Sequence, residues 1–157
     1  MNILISNEIK EICPGVSLGV INYFADVQKS SPELIKLFDT TLHKLEKQYK
    51  LSEIADIPHI RATRNAYKAL GKSPHEYRNA AESMLRRIVK GNSLYQINNV
   101  VEINNLISIS SGYSIGSYIT DKLSGAIELR RAPDGEMYKG IGKNSVNIEY
   151  LPTLYDD

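Results

Sequence analysis

Tryptophan is absent from this 157-residue sequence, and cysteine and phenylalanine are nearly so, at one and two copies. The lone Cys13 has no internal partner for a disulfide, and beside Pro14 and Gly15 it reads as a turn or packing residue rather than a nucleophile. Three separated histidines make a dedicated zinc site an unfavourable reading. No apolar run approaches the ~20 residues that cross a bilayer. The opening MNILISNEIK also lacks the basic start and small-residue cleavage site of a secretory signal, so the expected compartment is the cytoplasm, with no membrane partner. A strong charge of either sign is missing too, since 19 Lys and Arg offset 18 Asp and Glu to leave a formal charge of +1.

What is present is enough to bury a core: 42% of the residues are hydrophobic, and the length suits one globular domain over residues 1–157. Charge is unevenly placed, because Ile60 to Lys90 holds eight Lys or Arg against only Glu76 and Glu82. Such asymmetry suits a basic face for a polyanion, and it also occurs on ordinary solvated helices.

Strand-like patterning over Ile3–Ile5 and again over Val16–Phe24, with a turn at Cys13, Pro14 and Gly15, predicts an N-terminal sheet. Ser31 followed by Pro32 is an N-cap with proline in the first turn, and Leu34, Leu37, Phe38, Leu42, Leu45 and Tyr49 repeat at helical spacing. A second helix should open at Pro58 and close at Gly71, carrying Arg61, Arg64, Lys68 and Lys72 as a basic stripe. Ser73, Pro74 and Glu76 form a capping-box pattern for a third helix that Gly91 ends. On it, Arg78, Glu82 and Arg86 are spaced to pair on an exposed side, while Tyr77, Ala80, Ala81, Met84, Leu85, Ile88 and Val89 would face the core. His59 and His75, each beside a proline, read as surface or capping residues.

The segment INNVVEINNLISISSGYSIGSYITDKLSGAIELRR, residues 97–131, carries four asparagines inside a hydrophobic run. Helical geometry puts Asn98, Glu102 and Asn105 in a narrow arc, with apolar residues over most of the remaining circumference. The apolar residues predict burial, and the polar arc then faces a cavity or a hydrogen-bonding neighbour. Asparagines near a helix start often serve the backbone, which suits Asn98, Asn99 and Asn104. Glu102 is read either as a buried acid or as the partner of a base. Gly112, Gly116 and Gly125 punctuate the chain before a strand over Ala126–Arg131, Pro133–Gly135 mark a turn, and Val146–Leu151 suggest a last strand. The order of strands, helices and strands gives an α+β fold, a β-sheet core with several packed helices.

The asparagine-rich segment, with GYSIGSYITDKLSGAIELRRAPDGE, resembles without a gap the editing and tRNA-binding domain of bacterial phenylalanyl-tRNA synthetase β subunits. HIRATRNAYKALG, SPHEYRNAAESMLRRIVKG and SLYQINN resemble the free-standing proteins built on that domain, and the likeness spans roughly residues 58–136. It implies the α+β fold of that editing domain, binding of tRNA or aminoacyl-tRNA, and hydrolysis of a mischarged ester by a positioned water, with neither metal nor cofactor. It also implies a pocket in which Asn105 is the foremost substrate-binding residue, joined by Glu102, Asn98 and Gly116. Gly116 stands where the synthetase pattern has histidine, and a glycine offers no side chain to orient water while enlarging the pocket. The free-standing relatives share that glycine, which points to altered specificity. Arg61, Arg64, Lys68, Arg86 and Arg87 are the residues expected to meet RNA phosphates. The family's pattern continues beyond LPTLYDD, so a further C-terminal portion is expected. The alternatives are a non-catalytic tRNA or amino-acid binding module, docking to a synthetase, or a piece of a synthetase β subunit.

Overall fold

Ser6 caps the first helix of the chain by accepting the Ile9 N–H at 3.3 Å, and this turns the backbone out of its first strand after only three residues. In the computed structural model, which describes residues 3–140 and 145–157, the order is β1 (Ile3–Ile5), α1 (Asn7–Ile12), α2 (Pro32–Gln48), α3 (Pro58–Leu70), α4 (Ala80–Val89), α5 (Asn99–Ser111), β2 (Ile127–Arg131), β3 (Met137–Tyr138), β4 (Val146–Asn147) and β5 (Pro152–Tyr155). Single 3-10 turns at Ile54–Asp56 and Thr120–Lys122 complete it. The fold is therefore α+β among the described residues, and two compact units divide it.

One unit comprises residues 1–20, 65–77 and 118–157. Its main sheet has the order β1-β2-β5: β1 runs parallel to β2 with Ile3 opposite Ile127, and β5 runs antiparallel to β2 with Leu129 opposite Leu154. Ile9, Leu70 and Leu129 form one buried cluster, with Cys13 and Val16 packed against it. Tyr67, Ala132, Ile148 and Leu151 form another. β3 and β4 make a separate two-stranded ribbon. Cys13 caps the end of α1 and is partly buried, the turn and packing role expected of it.

The other unit comprises residues 21–64 and 78–117 and is helical. α4 packs against α2, α5 and the turn at Ile54–Asp56. Phe38, Leu42, Leu45, Ile54, Ile60, Ala81, Leu85, Ile88, Leu94 and Ile109 fill one core between them. Ser31 caps α2 as its sequence predicts, accepting the Leu34 N–H.

Four expectations are corrected. Val16–Phe24 is not a strand: it pairs with no strand of the described sheets, and Ile21, Tyr23 and Phe24 lie exposed. β-branched residues favour a pleated, half-covered surface, and without a pairing edge they specify nothing. The third helix starts at Ala80 rather than after Ser73, because Asn79 takes the capping position and accepts the Glu82 N–H at 2.9 Å. Ser73 instead closes a turn, its carbonyl accepting from the Glu76 and Tyr77 N–H groups. The third correction concerns α5, which leaves Ile103 and Ile107 exposed and buries Glu102 and Ser108 beside Ile109. A helix that is apolar on most sides buries only the side its neighbours reach, here α2 and α4. Of the expected strand over Val146–Leu151 only Val146–Asn147 forms one, β4; a turn at residues 149–151 follows, and β5 begins beyond it at Pro152.

Candidate functional site

Asn98 opens α5 from an extended conformation, its side-chain oxygen accepting the Val101 N–H at 3.0 Å. Asn99 holds a distant stretch of chain: its amide donates to the Asp26 carbonyl at 2.9 Å, its oxygen accepts the Gln28 N–H at 3.1 Å, and its own N–H donates to the Gln28 carbonyl. Glu102, buried, accepts from the Ser30 hydroxyl and, at 2.5 Å, from the Ile97 N–H. Asn99 and Glu102 thus tie α5 to the irregular stretch before α2. The polar arc therefore faces hydrogen-bonding neighbours along its first turn.

Asn105, one turn further, is half-buried, and its side chain makes no hydrogen bond among the described residues; nor does that of Asn104, which was expected to serve the backbone. Beside it in sequence, Leu106 and Ile107 join Ser110, Ser111, Leu37 and Thr41 around an apolar groove of about 380 Å³. Gly112 ends α5 with φ of 80°, a left-handed conformation that glycine adopts without strain. A Cβ there would lie 3.3 Å from Ile57 Cγ2 and 3.5 Å from His59 Cβ. The exposed stretch 113–117 follows, with Gly116 in it. Ser114 anchors that stretch: its hydroxyl accepts the Ala81 N–H at 3.4 Å and donates to Asn79 Oδ1 at 3.3 Å. Because Asn79 Oδ1 also accepts from the Glu82 N–H, its Nδ2 points the other way, buried and without a partner among the described residues.

The basic residues fall into different environments. Arg61 and Lys68 are exposed. Glu82, fully buried, binds Arg64 at 2.9 Å and Arg86 at 2.8 Å, with Arg78 at 3.8 Å, so the pairing expected on an exposed side is a buried hub instead. Arg87 donates to the Ser93 carbonyl at 2.6 Å and lies over the Tyr95 ring at 5.0 Å. In the sheet-containing unit, Lys72 is buried against Asn147 Oδ1 at 2.9 Å and Glu149 at 3.6 Å, at the edge of a polar cleft of about 370 Å³. There the Gly135 N–H, followed by Asn147, holds the Glu149 carboxyl below its usual range.

Two contributors, Ser30 and Asn79, were not singled out from sequence. They act through partners distant in the chain or hidden inside a rival capping pattern, although Asn79 followed three residues later by Glu82 is itself a capping signal. Tyr113 stacks on His59 with ring centroids 3.9 Å apart, a pairing that no local spacing announces. Among the described residues, no group of His, Cys, Asp or Glu could hold a metal ion, and no helix is long and apolar enough to cross a membrane.

One helical unit and one unit with small mixed sheets make up an α+β fold, in which an asparagine-capped helix runs into a glycine-bearing loop. The profile of the B3/4 domain matches residues 62–157, and the chain belongs to that family, the domain family of the phenylalanyl-tRNA synthetase β subunit. The matched span includes α4, α5, the Gly116 loop and every strand after it. No curated protein and no solved structure matches the chain.

Proposed function

We propose that the protein binds aminoacyl-tRNA and hydrolyses a mischarged aminoacyl ester in trans, acting in the cytoplasm where tRNAs are charged. The observation that carries this reading is the B3/4 match over residues 62–157, which takes in the asparagine-rich helix and the loop after it. Asn105 is the proposed substrate contact: its neighbours Asn98, Asn99 and Glu102 hold backbone and the N-terminal approach to α2, while the Asn105 side chain makes no hydrogen bond among the described residues. In the proposed site Asn105 positions the amino acid or the attacking water. Arg61 and Lys68, both exposed, supply phosphate contacts, with Arg87 at their service.

Incubation with a panel of misacylated tRNAs should release one amino acid above background. Asn105→Ala should lower that rate at least tenfold with little change in melting temperature. No release from any member of the panel would sink the hydrolytic claim.

A second reading is favoured by Gly116, which lacks a side chain to orient water. The domain is then a non-catalytic module for tRNA, alone or docked to a synthetase. Salt-dependent tRNA binding without turnover would establish it, since phosphate contacts release counterions.

A further inference from the structure

His59 and Tyr113 are far apart in sequence, yet their rings stack with centroids 3.9 Å apart and planes inclined by 23°. Buried aromatic pairs tend toward offset or edge-to-face arrangements, whereas this near-parallel pair stands in solvent, with Tyr113 55% exposed. Its mounting is rigid. Gly112 brings the end of α5 directly against the stem of His59, and its N–H donates to the Ser108 carbonyl at 2.8 Å. The Tyr113 N–H donates to Ser111 Oγ at 3.2 Å, and the next residue, Ser114, is tied to Asn79. The backbone on either side of Tyr113 is thus pinned while its ring remains open.

We infer that the His59–Tyr113 stack is a platform for one unpaired nucleobase at the 3′ end of the bound RNA. This rests on the reading of aminoacyl-tRNA as the ligand. A fixed, exposed ring offers its face to a planar group, and every base has such a face. The base must be unpaired, since bases within a duplex cover each other. The surroundings favour a base over an apolar protein side chain: Ser111, Ser114 and Ser117 flank the tyrosine, and the imidazole and phenol edges supply hydrogen-bonding groups. Tyr113 also lies three residues before Gly116, so a base held there would keep the esterified terminus close to the loop proposed to receive it.

The sequence shows no aromatic interleaving of the kind that marks single-strand platforms; here the fold assembles one from two elements.

The probe is a short single-stranded RNA carrying 2-aminopurine near its 3′ end, added to the intact protein. Binding should quench its fluorescence through stacking. Tyr113→Ala should abolish the quench and weaken binding about tenfold, and Tyr113→Phe, which keeps the ring, should restore both. An unquenched probe with the wild-type protein overturns the platform, as does equal binding by Tyr113→Ala. Deacylation measured on the same proteins separates the two readings: quenching without ester hydrolysis removes the hydrolytic function and leaves the platform, while Tyr113-independent hydrolysis without quenching does the reverse.

Discussion

Glu82 is the residue whose environment departs furthest from its place in the sequence. Spacing alone gives it ordinary surface pairing with Arg78 and Arg86, yet its carboxylate is fully buried and also takes Arg64 from another helix. A buried carboxylate needs its cations and hydrogen bonds, because its desolvation costs several kcal/mol. Glu82→Gln keeps the shape and removes the charge, leaving three guanidinium groups around a neutral amide. Chemical denaturation should register a loss of about 3–5 kcal/mol, the range for breaking one side of a buried ion pair. A loss within ~0.5 kcal/mol would mean that solvent, not Glu82, balances these arginines. The same geometry bears on RNA recognition, since Arg64 and Arg86 could serve phosphates only while also serving Glu82.

At the scale of elements, α5 shows what could and could not be read in advance. Its limits were legible, because an asparagine cap and a terminal glycine are local signals: Asn98 and Gly112 occupy those positions. The helix at Pro58 and the cap at Ser31 were legible for the same reason. Which side α5 buries was not, since Ile103 and Ile107 differ from Ile109 only in what lies opposite them. Val16–Phe24 misled because strand propensity cannot say whether an edge is available, and the start of α4 because two capping patterns compete within seven residues. Within the candidate site, the asparagine-rich pattern was visible, but its division into residues that hold backbone and residues left uncommitted depends on Asp26, Gln28 and Ser30, which are remote in sequence. Asn98→Ala should therefore cost about 1 kcal/mol of stability through loss of the cap. Thermal melting would register it, and an unchanged melting temperature would show that the end of α5 is held by Asn99 and Glu102 alone.

At the scale of the whole molecule, the two units differ in how far the chain must travel to complete them. The helical unit closes through neighbours such as α4 and α5, whereas Ile3 finds its partner only at Ile127. Long-range pairing carries a larger loop-closure cost before it is rewarded. Pulsed hydrogen exchange during refolding should protect amides of α2, α4 and α5 before those of β1, β2 and β5. Simultaneous protection would indicate a single cooperative step.

The pairing of β1 with β2 also has a meaning on the ribosome. The three-residue β1 leaves the exit tunnel well before its partner, and it then waits while more than a hundred residues are added, roughly 6–25 s at ordinary elongation rates. Throughout that interval Ile3, Leu4 and Ile5 form an unpaired hydrophobic edge on a nascent chain, the kind of segment that holdase chaperones engage.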